Sequence, residues 1–127
     1  MRGLLDTHTF LWWDRNPAKL SMPALAFLKN PANSLLFSVV SVWEMLIKLR
    51  LGKLTVGGPM RTVLFQHQSR GLQILPVTLD HVLAIETLPA VHKDPFDRLL
   101  IAQANVEGAV LLSADPVFSQ YPVQVLW

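Results

Sequence analysis

Apolar positions along this chain fall into two rhythms. Short, nearly continuous runs read as buried strands: Gly3–Asp6 (GLLD), Ser34–Ser38 (SLLFS), Leu72–Leu75 (LQIL) and Ala109–Leu112 (AVLL), with Val123–Leu126 as a short fifth candidate. Between them lie longer segments with helical signals. Thr7–Asp14 opens a helix that Asn16-Pro17 ends. Ser21–Leu28 has a serine cap and Pro23 in its first turn. Ser41–Leu51 stops at Gly52, and the turn Gly57-Gly58-Pro59 leads into Met60–Ser69. Leu79–Thr87 ends at Leu88-Pro89, and Pro95–Val106 closes on Gly108 as a glycine stop. Strands alternating with helices predict an α/β fold with a four- to five-stranded, mainly parallel sheet.

At 127 residues the chain is expected to form one domain, 1–127, with a core that needs no covalent staples. Apolar residues make up 51% and charged residues 16%, which suggests additional surface buried against a partner. The longest charge-free run, Asn30–Trp43, is too short for a membrane span and is broken by Asn33, Ser34, Ser38 and Ser41. Asp6 stands where a signal peptide needs its apolar stretch, so no export signal is expected. The absence of cysteine excludes disulfides and thiolate metal sites, and a reducing cytoplasm is the natural compartment. A net charge of +2 permits a nucleic-acid partner without arguing for one.

In such a sheet, ligands bind at the carboxyl ends of the strands. Asp6 follows the first strand, Glu44 lies in the helix after the second, and Asp115 follows the fourth. Asp94 and Asp97 open the helix that leads into that fourth strand. Each acid also has a local explanation. Asp6 and Asp94 suit helix caps, Asp97 favours a helix dipole, Ser41 and Glu44 have capping-box spacing, and Asp115-Pro116 suits a turn. Capping does not, however, require distant segments to deliver acids to one rim. Convergent carboxylates repel, and protonation or a hard cation relieves the repulsion. An all-oxygen set suits Mg²⁺ or Mn²⁺ rather than zinc, and no histidine has a second histidine at i+3 or i+4. His8 and His92 lie near the rim as local hydrogen-bonders, while His67 and His81 read as helix-surface residues. No phosphate-loop lysine motif or GxGxxG is present. Hydrolysis of a phosphate ester, most simply a phosphodiester, is the chemistry such a cup suits.

Four segments carry a family resemblance: LLDTHTFLWW (Leu4–Trp13), SVVSVWEMLIKLRLGKL (Ser38–Leu54), LPAVHKDPFDRLLIAQA (Leu88–Ala104) and LLSADPVFSQY (Leu111–Tyr121). Together they resemble the PIN domain, and more narrowly the VapC-type toxins of bacterial toxin–antitoxin pairs. The resemblance spans essentially the whole chain and implies a three-layer α/β/α sandwich. It also implies a Mg²⁺- or Mn²⁺-dependent endoribonuclease. Residue by residue, Asp6 and Asp97 become the direct metal ligands, and Glu44 and Asp115 complete the acidic set. Ser113 becomes a hydroxyl that bonds the carboxylates, and Asp94 either a cap or an outer ligand. The mechanism implied is in-line attack of an ion-activated water, leaving a 5′-phosphate and a 3′-hydroxyl. The partners implied are RNA, a cognate antitoxin and a second copy of the chain in a homodimer.

Lys48, Arg50, Lys53, Lys93 and Arg98 are the candidate RNA contacts, with a surface ion pair to Glu44 as the other explanation of Lys48. Adjacent Trp12 and Trp13 cannot both point into the core from one helix. With Phe10 and Leu11 they make a candidate apolar patch, set against an ordinary core role. The rival readings are a non-catalytic PIN-fold protein that binds RNA or a partner, and a signalling receiver domain. The receiver reading fails on its own motif, because Asp6 stands alone and no lysine follows Lys93.

Overall fold

The computed structural model describes residues 1–91 and 94–127. The expected strands are present as β1 (Arg2–Leu5), β2 (Ser34–Ser38), β3 (Gln73–Leu75), β4 (Val110–Leu112) and β5 (Val125–Leu126). They form one five-stranded sheet in the order β3-β2-β1-β4-β5, and every pairing is parallel. The helices are α1 (Thr7–Arg15), α2 (Met22–Lys29), α3 (Val39–Arg50), α4 (Met60–Gln68), α5 (Leu79–Leu83) and α6 (Pro95–Glu107).

Alternation along the strands divides the core in two. Leu5, Leu35, Phe37, Val110 and Leu112 face a cluster that includes Phe10, Phe27, Met45 and Val63 from α1 to α4. Leu4, Leu36 and Leu111 point the other way, against Leu100, Ile101 and Ala104 of α6 with Phe118 and Tyr121. This is the α/β/α sandwich. The connections β1–β2 and β2–β3 run one way along the sheet, and β3–β4 returns past β1 to the far side. Right-handed crossovers therefore place α1 to α4 on one face and α6 on the other. Gly3 is needed on the first face. A Cβ there would overlap Cε1 of Phe27, whose ring fills that space.

Four local expectations are corrected. The α3 cap is Ser38, whose Oγ accepts from the Val40 amide at 3.1 Å, so the helix begins before Ser41. Ser41 is a buried interior residue, and no capping box ties it to Glu44. The segment Leu79–Thr87 is a short α-helix that tightens into a 3₁₀ turn at Ala84–Thr87. His67 and His81 are buried rather than on helix surfaces. Nε2 of His67 bonds Asp14 at 2.8 Å, and Nε2 of His81 bonds Glu107 at 2.7 Å. Nδ1 of His81 also accepts the Thr78 amide at 3.0 Å, which completes a capping box with histidine in the usual glutamate place.

Phe10 is likewise core, stacked on Phe37 with ring centroids 4.3 Å apart. Leu11, Trp12 and Trp13 are partly buried against the same cluster. An exposed apolar stripe runs along α3 to its C-cap, where Val39, Trp43, Leu46, Ile47 and Leu51 are open to solvent. Among the described residues no helix is long and apolar enough to cross a membrane.

Candidate active site

The strand order reverses direction between β1 and β4, and a crevice opens there at the carboxyl edge of the sheet. Asp6 leaves β1 into this crevice and is 7% exposed. Its amide donates to the Leu112 carbonyl at 3.1 Å, and the Thr9 hydroxyl donates to the same carbonyl at 2.8 Å. These bonds fasten the start of α1 to the end of β4. One Asp6 carboxylate oxygen, Oδ1, accepts the Thr9 amide at 2.8 Å and so caps α1. The other, Oδ2, accepts the Ser113 hydroxyl at 2.5 Å.

Ser113 is buried and has a second function. Its Oγ accepts the Asp115 amide at 3.1 Å, so one hydroxyl sets the spacing between Asp6 and Asp115. Asp115 in turn caps the 3₁₀ turn Pro116–Gln120, with Oδ1 accepting the Val117 amide at 3.0 Å.

On the opposite wall, Asp94 caps α6. Its Oδ1 accepts the amides of Phe96 at 2.9 Å and Asp97 at 3.3 Å, with Pro95 in the first turn. Asp97 sits in that first turn, where the positive end of a 13-residue helix favours a carboxylate. Glu44 enters from α3. It accepts the Thr7 hydroxyl at 2.5 Å and pairs with Lys48 at 3.6 Å.

One cleft of about 160 Å³ results, lined by Asp6, Thr7, His8, Glu44, Lys48, Asp94, Asp97, Leu100, Asp115 and Phe118. All four acids expected to carry the chemistry line it, and so does Asp94. The local explanations also hold: Asp6 and Asp94 cap helices as expected, and Asp115, expected in a turn, caps the 3₁₀ turn that follows it, while all three face the cleft. Thr7 is a site residue that sequence reading passed over. The only signal was a hydroxyl beside Asp6, and its partner Glu44 is 37 residues away.

The basic candidates separate. Lys48 reaches the cleft. Arg50 lies by the apolar groove of Trp43, Leu46, Ile47 and Leu51, and Lys53 is exposed beyond α3. Arg98 donates to the Pro89 carbonyl at 2.8 Å. Lys93, like His92, lies outside the described residues.

The donor set is entirely oxygen, which fits a hard divalent cation. Among the described residues no three acids or imidazoles are drawn together tightly enough to hold an ion by themselves. Mg²⁺ keeps several waters and takes only one or two protein carboxylates directly, so this spacing is compatible with it. Ser113 and Thr7 already orient two of the carboxylates, as outer hydrogen bonds do around metal ligands.

The family model of the PIN domain matches residues 3–124. The chain belongs to the PIN domain family. This PIN domain is 27% identical over 113 residues to Ribonuclease VapC22 of Mycobacterium tuberculosis, an alignment covering 88% of this chain and 85% of that one. Its fold matches a chain in VapBC2 from Rickettsia felis, solved bound to a DNA fragment from their promoter. That match has a TM-score of 0.75 and 17% identity, and covers 100% of this chain and 98% of the other. DNA-bound VapBC from Salmonella typhimurium matches at TM-score 0.73 and 16% identity, covering 100% and 97%. FitAcB from Neisseria gonorrhoeae matches at 0.67 and 20%, covering 98% and 96%.

Proposed function

We propose that this PIN domain, spanning residues 1–127, is a Mg²⁺- or Mn²⁺-dependent endoribonuclease and the toxin of a toxin–antitoxin pair. The observation that carries the reading is the convergence of Asp6, Glu44, Asp97 and Asp115, from four separate segments, on one cleft at the switch point of the sheet. The likeness to a VapC ribonuclease along most of both chains supports it.

Asp6 and Asp97 are assigned as the direct ligands, with Glu44 and Asp115 completing the set. A divalent ion held there supplies charge neutralisation for the phosphodiester and a lowered barrier to forming hydroxide from water. The chain's own residues do the positioning. Ser113 holds the Asp6 carboxylate in place, Thr7 turns Glu44 inward, and Asp94 fixes the helix end that presents Asp97. Lys48 offers the cleft a positive charge for a phosphate oxygen. Arg50, Lys53, Lys93 and Arg98 are assigned to the outlying RNA backbone.

The apolar stripe of α3 fits a protein partner, since contiguous exposed apolar surface of this kind marks interfaces. The partners assigned are a cognate antitoxin and a second copy of the chain, in the cytoplasm.

The test is cleavage of an RNA panel by the purified, antitoxin-free protein with Mg²⁺ or Mn²⁺, beside EDTA and a folded Asp97→Asn variant. Loss of cleavage in both controls is expected. Cleavage that persists in EDTA would sink the metal site. Intact RNA throughout, from protein that binds the ion, would leave a PIN domain that binds without cutting.

A further inference from the structure

A second cavity, of about 260 Å³, adjoins the acidic cleft and shares Asp6, His8 and Asp115 with it; its remaining walls are Trp12 and Ala114. We propose that this pocket holds one unpaired nucleobase of the RNA next to the scissile phosphate, stacked on Trp12 and edged by His8. The proposal rests on the ribonuclease reading and adds to it a base-binding subsite with named residues.

The two cavities differ in chemistry. The cleft is polar and acidic, while the second pocket is walled mainly by the Trp12 indole and the Ala114 methyl. No lysine or arginine lines it, and two carboxylates stand on its rim. A second phosphate is therefore excluded by repulsion, and a neutral, flat, apolar group is favoured. An RNA strand with its phosphodiester among the acids carries such a group on either side of that phosphate. The shared walls put the pocket directly beside the acids.

Trp12 is built to be a rigid platform. It is partly buried against the core, and Trp127 supports it with ring centroids 5.6 Å apart at 52°. A platform already fixed loses little conformational freedom when a base lands on it. His8 is one helical turn before Trp12, 5.9 Å from it between centroids and tilted by 43°. The imidazole is exposed and makes no hydrogen bond to a described residue, so its ring nitrogens are available to a base edge. Single-stranded RNA is recognised in this way, by splaying bases onto aromatic rings and bonding their edges. A base inside a duplex cannot enter. The pocket thus selects unpaired segments and tolerates more than one base identity.

The experiment measures fluorescence anisotropy of labelled single-stranded oligoribonucleotides with Mg²⁺, using Asp97→Asn protein so that the RNA stays intact. A second oligonucleotide has the same backbone with abasic sites throughout. Adding Trp12→Leu is expected to weaken the base-bearing RNA on the order of 10-fold. Affinity for the abasic strand should stay within about twofold. Phe65→Ala, which removes an exposed aromatic from α4, should leave both affinities unchanged.

Equal loss on both strands would mean that Trp12 is only structural, and would overturn the proposal. Unchanged affinity for the base-bearing RNA would overturn it too, leaving the pocket to a protein side chain. So would an absence of RNA binding by the wild-type chain as well as by the Asp97→Asn parent. Photo-crosslinking of a 4-thiouridine strand to that parent requires no change at Trp12 and covers the case in which Trp12→Leu does not fold. Adducts on His8 or Trp12 are expected, and adducts found only elsewhere would refute the subsite. Cleavage by the wild-type chain is scored separately. Trp12-dependent binding without cleavage keeps the subsite and removes the nuclease. Cleavage with Trp12-independent binding does the reverse.

Discussion

Ser113→Ala is the most informative single change, because one buried hydroxyl joins two of the acids. The side chain is 1% exposed, donates to Oδ2 of Asp6 at 2.5 Å and accepts the Asp115 amide at 3.1 Å. Alanine removes both bonds and leaves only a small void. Losing a hydrogen bond to a charged group costs about 1.5–3 kcal/mol. The Asp115 amide is only partly buried, so water can replace much of that second bond. The expected total is about 2–3 kcal/mol, which for a chain of this size lowers Tm by roughly 8–12 °C.

Activity should fall for a separate reason. Without the serine, the Asp6 carboxylate keeps its bond from the Thr9 amide but is free to turn about it. Loss of such an outer bond lowers metal affinity or activity by about 10–100-fold. Urea unfolding measures the first effect, and RNA cleavage titrated with Mn²⁺ measures the second, with a higher ion requirement expected. Ser113→Thr, which keeps the hydroxyl, should recover part of the activity. A Ser113→Ala protein with unchanged unfolding midpoint and unchanged ion requirement would refute the assignment of this hydroxyl.

Three further outcomes follow from particular contacts. Gly3→Ala drives a methyl into the Phe27 ring and should destabilise the fold by about 1–3 kcal/mol; Phe27→Leu in the same chain should restore part of this, as thermal unfolding will show. Thr7→Val keeps the shape but removes the donor to Glu44, a carboxylate that water still reaches and that stays paired with Lys48, so cleavage should drop by about 10-fold while Tm falls less than in Ser113→Ala, and Thr7→Ser should retain most activity. Glu107 is held below the ordinary carboxylate range, first by its hydrogen bond from His81 and then by Arg2, against an opposing effect of burial. Its folded value is depressed, so it contributes stability above the ordinary carboxylate value, and that stability is lost as pH falls through the folded value. Urea midpoints for wild type and Glu107→Gln should therefore differ at neutral pH and converge on acidification; a constant gap would contradict this account.

Much of the site was legible because its geometry follows from local rules. A strand that ends at Asp6 presents that residue at the sheet edge whatever else the chain does. Asp94 and Pro95 mark a helix start with residue chemistry alone, and Asp97 then falls in the first turn. Gly108, at φ 63°, stops the same helix in the left-handed conformation that glycine adopts at least cost. The illegible parts share one cause. Ser41 reads as the start of α3 from its local spacing, but the helix follows β2 without a gap, so Ser38 at the strand end is also the cap. His67 and His81 have ordinary helix-surface spacing. Their burial follows from carboxylates 53 and 26 residues away, which no local pattern reveals. Trp12 and Trp13 sit side by side in sequence, and each is accommodated by a different neighbour, Trp127 for one and His67 for the other.

Local pattern was enough for the alternation of strands and helices, the two-sided burial of the strands, the caps of α1, α2 and α6, and which acids follow strand ends. Those features depend on backbone geometry and on spacings of a few residues. Packing of the whole chain was needed to bring Asp6, Glu44, Asp97 and Asp115 to one cleft, to set Thr7 and Ser113 against two of them, and to stand Trp12 beside that cleft. These are distances between segments far apart in the chain, set by the strand order β3-β2-β1-β4-β5 and its crossovers. Periodicity says which face a residue occupies; packing of the whole sheet says what stands opposite.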